Sequence, residues 1–268
     1  MINFRPILVV LAVASLPLRA QPPVSPQKLQ FEVAAIKPTA DRTLGGLIVH
    51  LPGESGYRGT NMPLINYLTV AYQVRFDQIS GPVWLNSEYF DMEGKAERTC
   101  TADELHLMLQ HLLEERFSMK LHRETRQVSG YNLVVDKGGP KMAEHDPEDR
   151  EMLPIQFGGP GVQRGKNVSM QYLAFYLSGM LGETVVDQTG LAGHYDFDLK
   201  YQMDFPAPPP PPPPGSVGDR TDAAPISAVM VNQGVFDALR KQLGLRLDKA
   251  KVPATHIIID HIEKLADN

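Results

Sequence analysis

Carboxylates are the side chains of this chain with the widest chemical capacity. Asp77, Asp91, Glu93 and Asp187 are candidates for an acid–base pair, in which one carboxyl protonates a leaving group while the other activates water. Nothing in their spacing selects a pair. His194, Asp196 and Asp198 form an acid–base cluster on paper, but neighbouring strand residues point to opposite faces and His194 falls in a turn. His106 and His111 share a predicted helix without the i, i+4 spacing that stacks two metal ligands on one face, and His122 ends a strand beside Arg123 and Glu124. No metal or cofactor is expected. The serines lie outside any Gly-x-Ser-x-Gly elbow. Gly138-Gly-Pro and Gly158-Gly-Pro-Gly161 lack the Lys-Ser/Thr of a phosphate loop and read as plain turns. Cys100, the single cysteine, precedes the capping box Thr101-Ala-Asp-Glu104 and reads as a small linker residue, so no intramolecular disulfide is available.

The most specific short pattern is Thr189-Gly190-Leu191-Ala-Gly193. Its glycines supply positive φ and Thr189 bonds a neighbouring backbone group, which is a structural role. Ligand contact is the alternative, because rigid scaffolds place recognition on such loops. The residues of that candidate site are Asp187, Thr189, Gly190, Gly193, Tyr195 and Asp196.

The elements that position this loop follow from periodicity. After it comes a strictly alternating strand, with Phe197, Leu199 and Tyr201 facing one way and Asp196, Asp198 and Lys200 the other. Earlier strands are predicted at Phe31–Ile36, Leu47–Leu51 and Tyr89–Ala96. Leu64, Leu68 and Ala71 mark a helix with Asn61 as its cap and Pro63 in its first turn. A second helix runs from the Thr101 cap to about Arg116, and a third, capped by Asn167 or Ser169, buries Met170, Leu173, Leu177 and Leu181 and stops at Gly182. The last helix carries Phe236, Leu239 and Leu243 and closes at Gly244. Phe117–His122 and Tyr131–Asp136 are expected to pair as strands, and Leu245–Leu247 and His256–Ile262 are the final strands.

Several of these runs recur in order. Gly59-Thr-Asn61 corresponds to Gly165-Lys-Asn167, Phe90-Asp91-Met92 to Tyr195-Asp196-Phe197, and Leu133-Val-Val-Asp136 to Ile257-Ile-Ile-Asp260. Leu113, Phe117, Met119 and Leu121 share their spacing with Leu239, Leu243, Leu245 and Leu247. The expected fold is therefore α+β, a tandem duplication of a strand-helix-strand-helix-strand-strand unit with helices packed on mainly antiparallel sheets. The first repeat covers 31–137, a connector 138–164, and the second repeat 165–264, with a Pro-rich insertion at 206–224 whose run Pro208–Pro214 favours polyproline II.

Residues 1–20 have the layout of a secretory signal, with Arg5, a short apolar run and Ala20 at the cleavage position, and 21–30 read as a flexible leader. No later run is long enough to span a membrane. A formal charge of −5 gives no electrostatic footprint for nucleic acid. The expected location is periplasmic or extracellular.

Four stretches carry a resemblance: Phe31-Glu-Val-Ala-Ala-Ile-Lys-Pro38, Ile79-Ser-Gly-Pro-Val-Trp-Leu85, Leu113-Glu-Glu-Arg-Phe117 through Leu121-His-Arg-Glu-Thr125, and Val186-Asp-Gln-Thr-Gly-Leu-Ala-Gly-His-Tyr-Asp-Phe197. With Ile259-Asp-His-Ile-Glu-Lys264 they make the chain resemble an uncharacterised family of exported soil-bacterial proteins expanded in Acidobacteria. That resemblance transfers no catalytic residue. Related domains fused to membrane-bound sensor-peptidase modules imply envelope sensing or assembly. The resulting expectation is an exported, non-catalytic scaffold that binds an envelope protein or a small ligand. The alternative is a secreted hydrolase acting on peptide or glycan through an Asp/Glu pair, drawn from Asp91, Asp187, Asp196 and their neighbours.

Overall fold

Strict alternation of side chains builds the first sheet of the computed structural model, which describes residues 29–39, 46–50, 56–98, 100–146, 153–202 and 232–265. The predicted signal segment 1–20, most of the leader 21–30 and the Pro-rich insertion 206–224 lie outside these residues. Strands β1 (Val33–Pro38), β2 (Leu47–His50), β3 (Gly56–Pro63) and β5 (Tyr89–Lys95) pair antiparallel in the order β1-β5-β3-β2. Between β3 and β5 run helix α1 (Leu64–Tyr72) and the two-residue strand β4 (Ile79–Ser80). Tyr57, Phe90 and Met92 point from this sheet into one core with Leu64 and Leu68 of α1 and with Leu105, Leu109 and Leu113 of α2 (Ala102–Arg116). The predicted capping box starts α2: Thr101 Oγ1 accepts from the Glu104 N–H, and the Glu104 carboxylate accepts from the Thr101 N–H.

A second sheet repeats this order. Strands β7 (Ala143–Glu144), β8 (Leu153–Gly159), β9 (Val162–Ser169) and β11 (His194–Lys200) pair antiparallel as β7-β11-β9-β8, with α3 (Met170–Leu181) and β10 (Thr184–Asp187) between β9 and β11. As predicted, Phe197 and Leu199 are buried while Asp198 and Lys200 are exposed. The stretch 138–164 is not a plain connector, since it carries β7, β8 and the start of β9. β7 and β8 are the edge strands of this sheet. Gly159 and Gly161, at φ 122° and 69°, make the reversal between β8 and β9.

Two long strands join the halves: β6 (Lys120–Val135), and β12 (Leu245–His261), which follows α4 (Asn232–Ala238) and its π-helical extension Leu239–Leu243. They pair antiparallel from Leu245 opposite Val135 to His261 opposite Lys120. The expected couple Phe117–His122 and Tyr131–Asp136 thus forms the two ends of one strand, as do the final strands Leu245–Leu247 and His256–Ile262 of another. The polar run between them contains no reversal, and Gly130 marks a close approach: a Cβ there would lie 2.2 Å from the Thr184 carbonyl oxygen and 2.7 Å from Val252. The third sheet is ordered β10-β6-β12-β4, with β10 parallel to β6 and β4 parallel to β12. It reads the same from either end when β4 exchanges with β10 and β6 with β12.

Each core therefore borrows a strand. Ile257 and Ile259 of β12 complete the core of the first sheet. Leu133 of β6 enters the core of the second, with Leu173, Leu177, Phe197, Leu199, Leu239 and Leu245. The fold is α+β with sheets that are mainly antiparallel.

Candidate functional site

The loop singled out in the sequence is closed on itself. Asp187, the last residue of β10, accepts from the Thr189 N–H at 2.9 Å and from its hydroxyl at 2.7 Å, and Thr189 Oγ1 accepts from the Leu191 N–H at 3.1 Å. Gly190 supplies φ 69°. A Cβ on Gly193 would meet Glu144 Oε1 and Tyr195 Oη, both at 3.2 Å. Tyr195 is a ladder residue opposite Val168 and Glu144. Asp196 lies in the second sheet and Asp187 in the third.

Asp196 has a local task. Its Oδ1 accepts from the Asn167 N–H at 2.9 Å and lies 2.7 Å from Nδ1 of the buried His145. Asn167 is left-handed, φ 56°. In the first sheet Asn61, φ 49°, donates its N–H to Asp91 Oδ1 at 2.8 Å, and Thr39 Oγ1 donates to the same oxygen at 3.0 Å. Neither asparagine caps a helix as predicted. Each sits at an irregularity in strand register, where Asn tolerates the left-handed conformation and a carboxylate takes the N–H that the ladder leaves. Pro63 occupies the position before α1, and Ser169 caps α3 by accepting from the Tyr172 N–H. Asp196→Ala is expected to cost about 2 kcal/mol of unfolding free energy, and the exposed Asp91→Ala about 1 kcal/mol. Urea titration checks both, and an Asp196 variant as stable as the parent refutes the anchoring role.

A cleft of about 490 Å³ lies where the halves meet, between the end of α1 and one face of α3, floored by Pro253–Thr255 of β12. Clefts between structural units are common ligand sites. Its charged lining residues are Arg75, Arg123 and Asp187. Arg75 is held by Asp77 through two bonds of 2.8 Å. The Arg123 guanidinium lies 5.6 Å from the centre of the Tyr72 ring and makes no hydrogen bond or ion pair with a described residue. Tyr72 donates to Glu114 at 2.9 Å; burial, and then the Glu114 charge, push its phenol well up. Gln73 ends α1 in the left-handed region, φ 51°, a position that favours glycine, and its buried Oε1 has no hydrogen-bond partner among the described residues. Ser178 is structural: its hydroxyl donates to the Ala174 carbonyl and accepts from the Val185 N–H, each at 2.8 Å.

Gln73, Arg123 and Phe175 were not identifiable from the sequence as cleft residues. The one signal was at Gln73, where an apolar helical stripe ends without a Gly or Asn. Arg123 lies in the quoted stretch Leu121-His-Arg-Glu-Thr125, a polar run whose residue types mark no site.

The remaining titratable candidates are core groups or surface pairs. His106 of α2 is buried beside Tyr57, whose hydroxyl is 3.0 Å from Nδ1, and its ring stacks on Tyr172 of α3 at 5.6 Å. Burial pushes this imidazole down to about 4, against smaller upward effects of Asp103 and the Val70 carbonyl. The Cys100 thiol is buried against the Arg98 carbonyl and its pKa is raised by burial, which disfavours thiolate chemistry. Among the described residues no group of three His, Cys, Asp or Glu side chains is arranged to hold a metal ion. No described helix is long and apolar enough to cross a membrane.

No curated protein and no solved structure matches the chain. A family described as "Protein of unknown function (DUF3738)" matches residues 65–262, a span that contains all of α1 but its first residue, both long strands and the residues that line the cleft. The chain belongs to that family.

Proposed function

We propose that this protein is an exported, non-catalytic scaffold that binds an envelope protein or a small ligand in the cleft between its halves. One contrast carries the reading. Asp187 and Asp196 are engaged by backbone N–H groups and neighbouring side chains, and Asp91 likewise, whereas the guanidinium of Arg123 in the cleft has no acidic partner among the described residues. Hydrolysis by paired carboxylates needs two acids at one cleft, and Asp187 is the single carboxylate among these lining residues. Export rests on the layout of residues 1–20, and the distribution among soil bacteria rests on the motifs quoted above.

Tandem duplication belongs to the same proposal. Its support is the shared strand order of the first two sheets and the recurrence of a left-handed Asn bonded to a strand Asp, Asn61 with Asp91 and Asn167 with Asp196.

Affinity capture from a cell-envelope fraction, with mature protein containing or lacking residues 206–224, tests the binding role. A stoichiometric partner whose capture is lost on blocking the cleft is the expected result. Turnover of a peptide or glycan substrate, abolished by Asp187→Asn, would replace this reading with the hydrolase.

A further inference from the structure

The cleft has a chemical signature more specific than its volume. A guanidinium is a planar fork suited to two parallel bonds with a carboxylate. A comparison within the chain shows what a closed site of this kind looks like. Lys249 follows Leu247 by two residues, as Arg123 follows Leu121. Its ammonium lies 4.6 Å from the centre of the Tyr131 ring, much as Arg123 lies over Tyr72. Glu183 closes that cation with an ion pair. At Arg123 the corresponding carboxylate, Glu114, bonds the Tyr72 hydroxyl at 2.9 Å but makes no ion pair with the guanidinium.

Two further observations fall at the same cleft. Gln73, which lines the cleft, keeps a left-handed backbone that glycine would occupy without strain, and its buried side-chain oxygen has no hydrogen-bond partner among the described residues. Alongside lies a second cavity of about 250 Å³, sharing Val74, Arg75, Phe175 and Ser178 with the first. Phe76 lines it while 67% exposed, and a Cβ on its Gly179 would meet nothing within 4 Å. Cation, amide acceptor and apolar recess are the three features that a peptide end presents in complement.

We propose that the cleft binds the free C-terminal end of a peptide, with Arg123 taking the carboxylate, Gln73 accepting the last amide N–H, and the recess beside Phe76 and Phe175 holding an apolar terminal side chain. This rests on the binding role proposed above and names the ligand class.

Fluorescence anisotropy with an N-terminally labelled tetrapeptide ending in leucine tests it on the mature protein. The free acid is expected to bind, and the same peptide with a C-terminal amide to bind at least about tenfold more weakly, the scale of one charge-assisted hydrogen bond. Arg123→Gln should reproduce that loss for the acid. Gln73→Gly should also weaken binding while the melting temperature holds or rises, because glycine suits the left-handed position. A purely structural role for Gln73 predicts unchanged binding. Equal affinity for acid and amide, full affinity in Arg123→Gln, or no binding of the acid at about 1 mM each overturn the proposal. An envelope partner captured equally well by the Arg123→Gln protein would leave the binding role standing and remove the peptide-end reading alone.

Discussion

Residues 1–146 and 147–268, expressed as two chains, are expected not to fold separately and to recover a cooperative unfolding transition on mixing. The cause is the exchange of strands between cores. The first core loses Ile257, fully buried, and Ile259 when β12 is removed, and Leu133 of the second core, also fully buried, lies on β6. Each such side chain contributes about 1.5–3 kcal/mol on burial. Losing two, together with the ladder between β6 and β12, removes much of a stability that totals about 5–15 kcal/mol for a domain. It also leaves a long strand unpaired, which favours aggregation. Within the intact chain Leu133→Ala is expected to cost about 3 kcal/mol. Circular dichroism and urea titration on each half and on the mixture give the answer. A half that melts cooperatively by itself contradicts the shared cores.

Acid is expected to destabilise the protein through His106 by about 3 kcal/mol between pH 7 and pH 4. The imidazole titrates at about 4 in the folded chain, from an ordinary value of 6.5. The folded state therefore binds fewer protons than the unfolded state across this window, so stability is full above pH 6.5, falls as pH drops, and reaches its maximal loss below 4. The environment explains the size: Tyr57 and Tyr172 enclose the ring, and Asp103 offsets only part of the desolvation. Comparing unfolding free energy against pH for the parent and His106→Gln isolates this contribution, because the carboxylates titrate in both. Parallel curves would show that the imidazole is not desolvated as described. His122 behaves in the opposite sense. Asp260 and then Glu124 raise its pKa, so any stability it adds is present at low pH and is lost as pH rises through its folded value. It is exposed, so salt weakens that contribution.

Much of the local structure was legible from residue types. The alternation of β5 and β11, the capping box of α2, and the glycine stops at Gly182 and Gly244 were all readable, because each depends on neighbours a few residues away. The Thr189–Gly193 turn was legible as a turn for the same reason. Asn61 shows the limit: Asn-Met-Pro ahead of an apolar stripe reads as a helix cap, yet a register irregularity between β3 and β5 places it in the left-handed region against Asp91.

What periodicity alone could not decide was which strands pair. The apolar ends and polar middle of β6 suit a hairpin as well as one long strand, and only a partner of matching length, β12, selects the latter. That pairing lets both cores close at once, which two separate hairpins would not do. The cleft follows from the same choice. Gln73, Arg123, Phe175 and Thr255 are far apart in the chain and meet only because the β6–β12 ribbon brings the end of α1 against α3. The sequence by itself determined the α+β class and the places of most helices and strands, since backbone propensity and side-chain alternation act over a few residues. Tertiary structure alone decided the exchange of strands and the site between the halves, since these depend on burying apolar surface from segments more than a hundred residues apart.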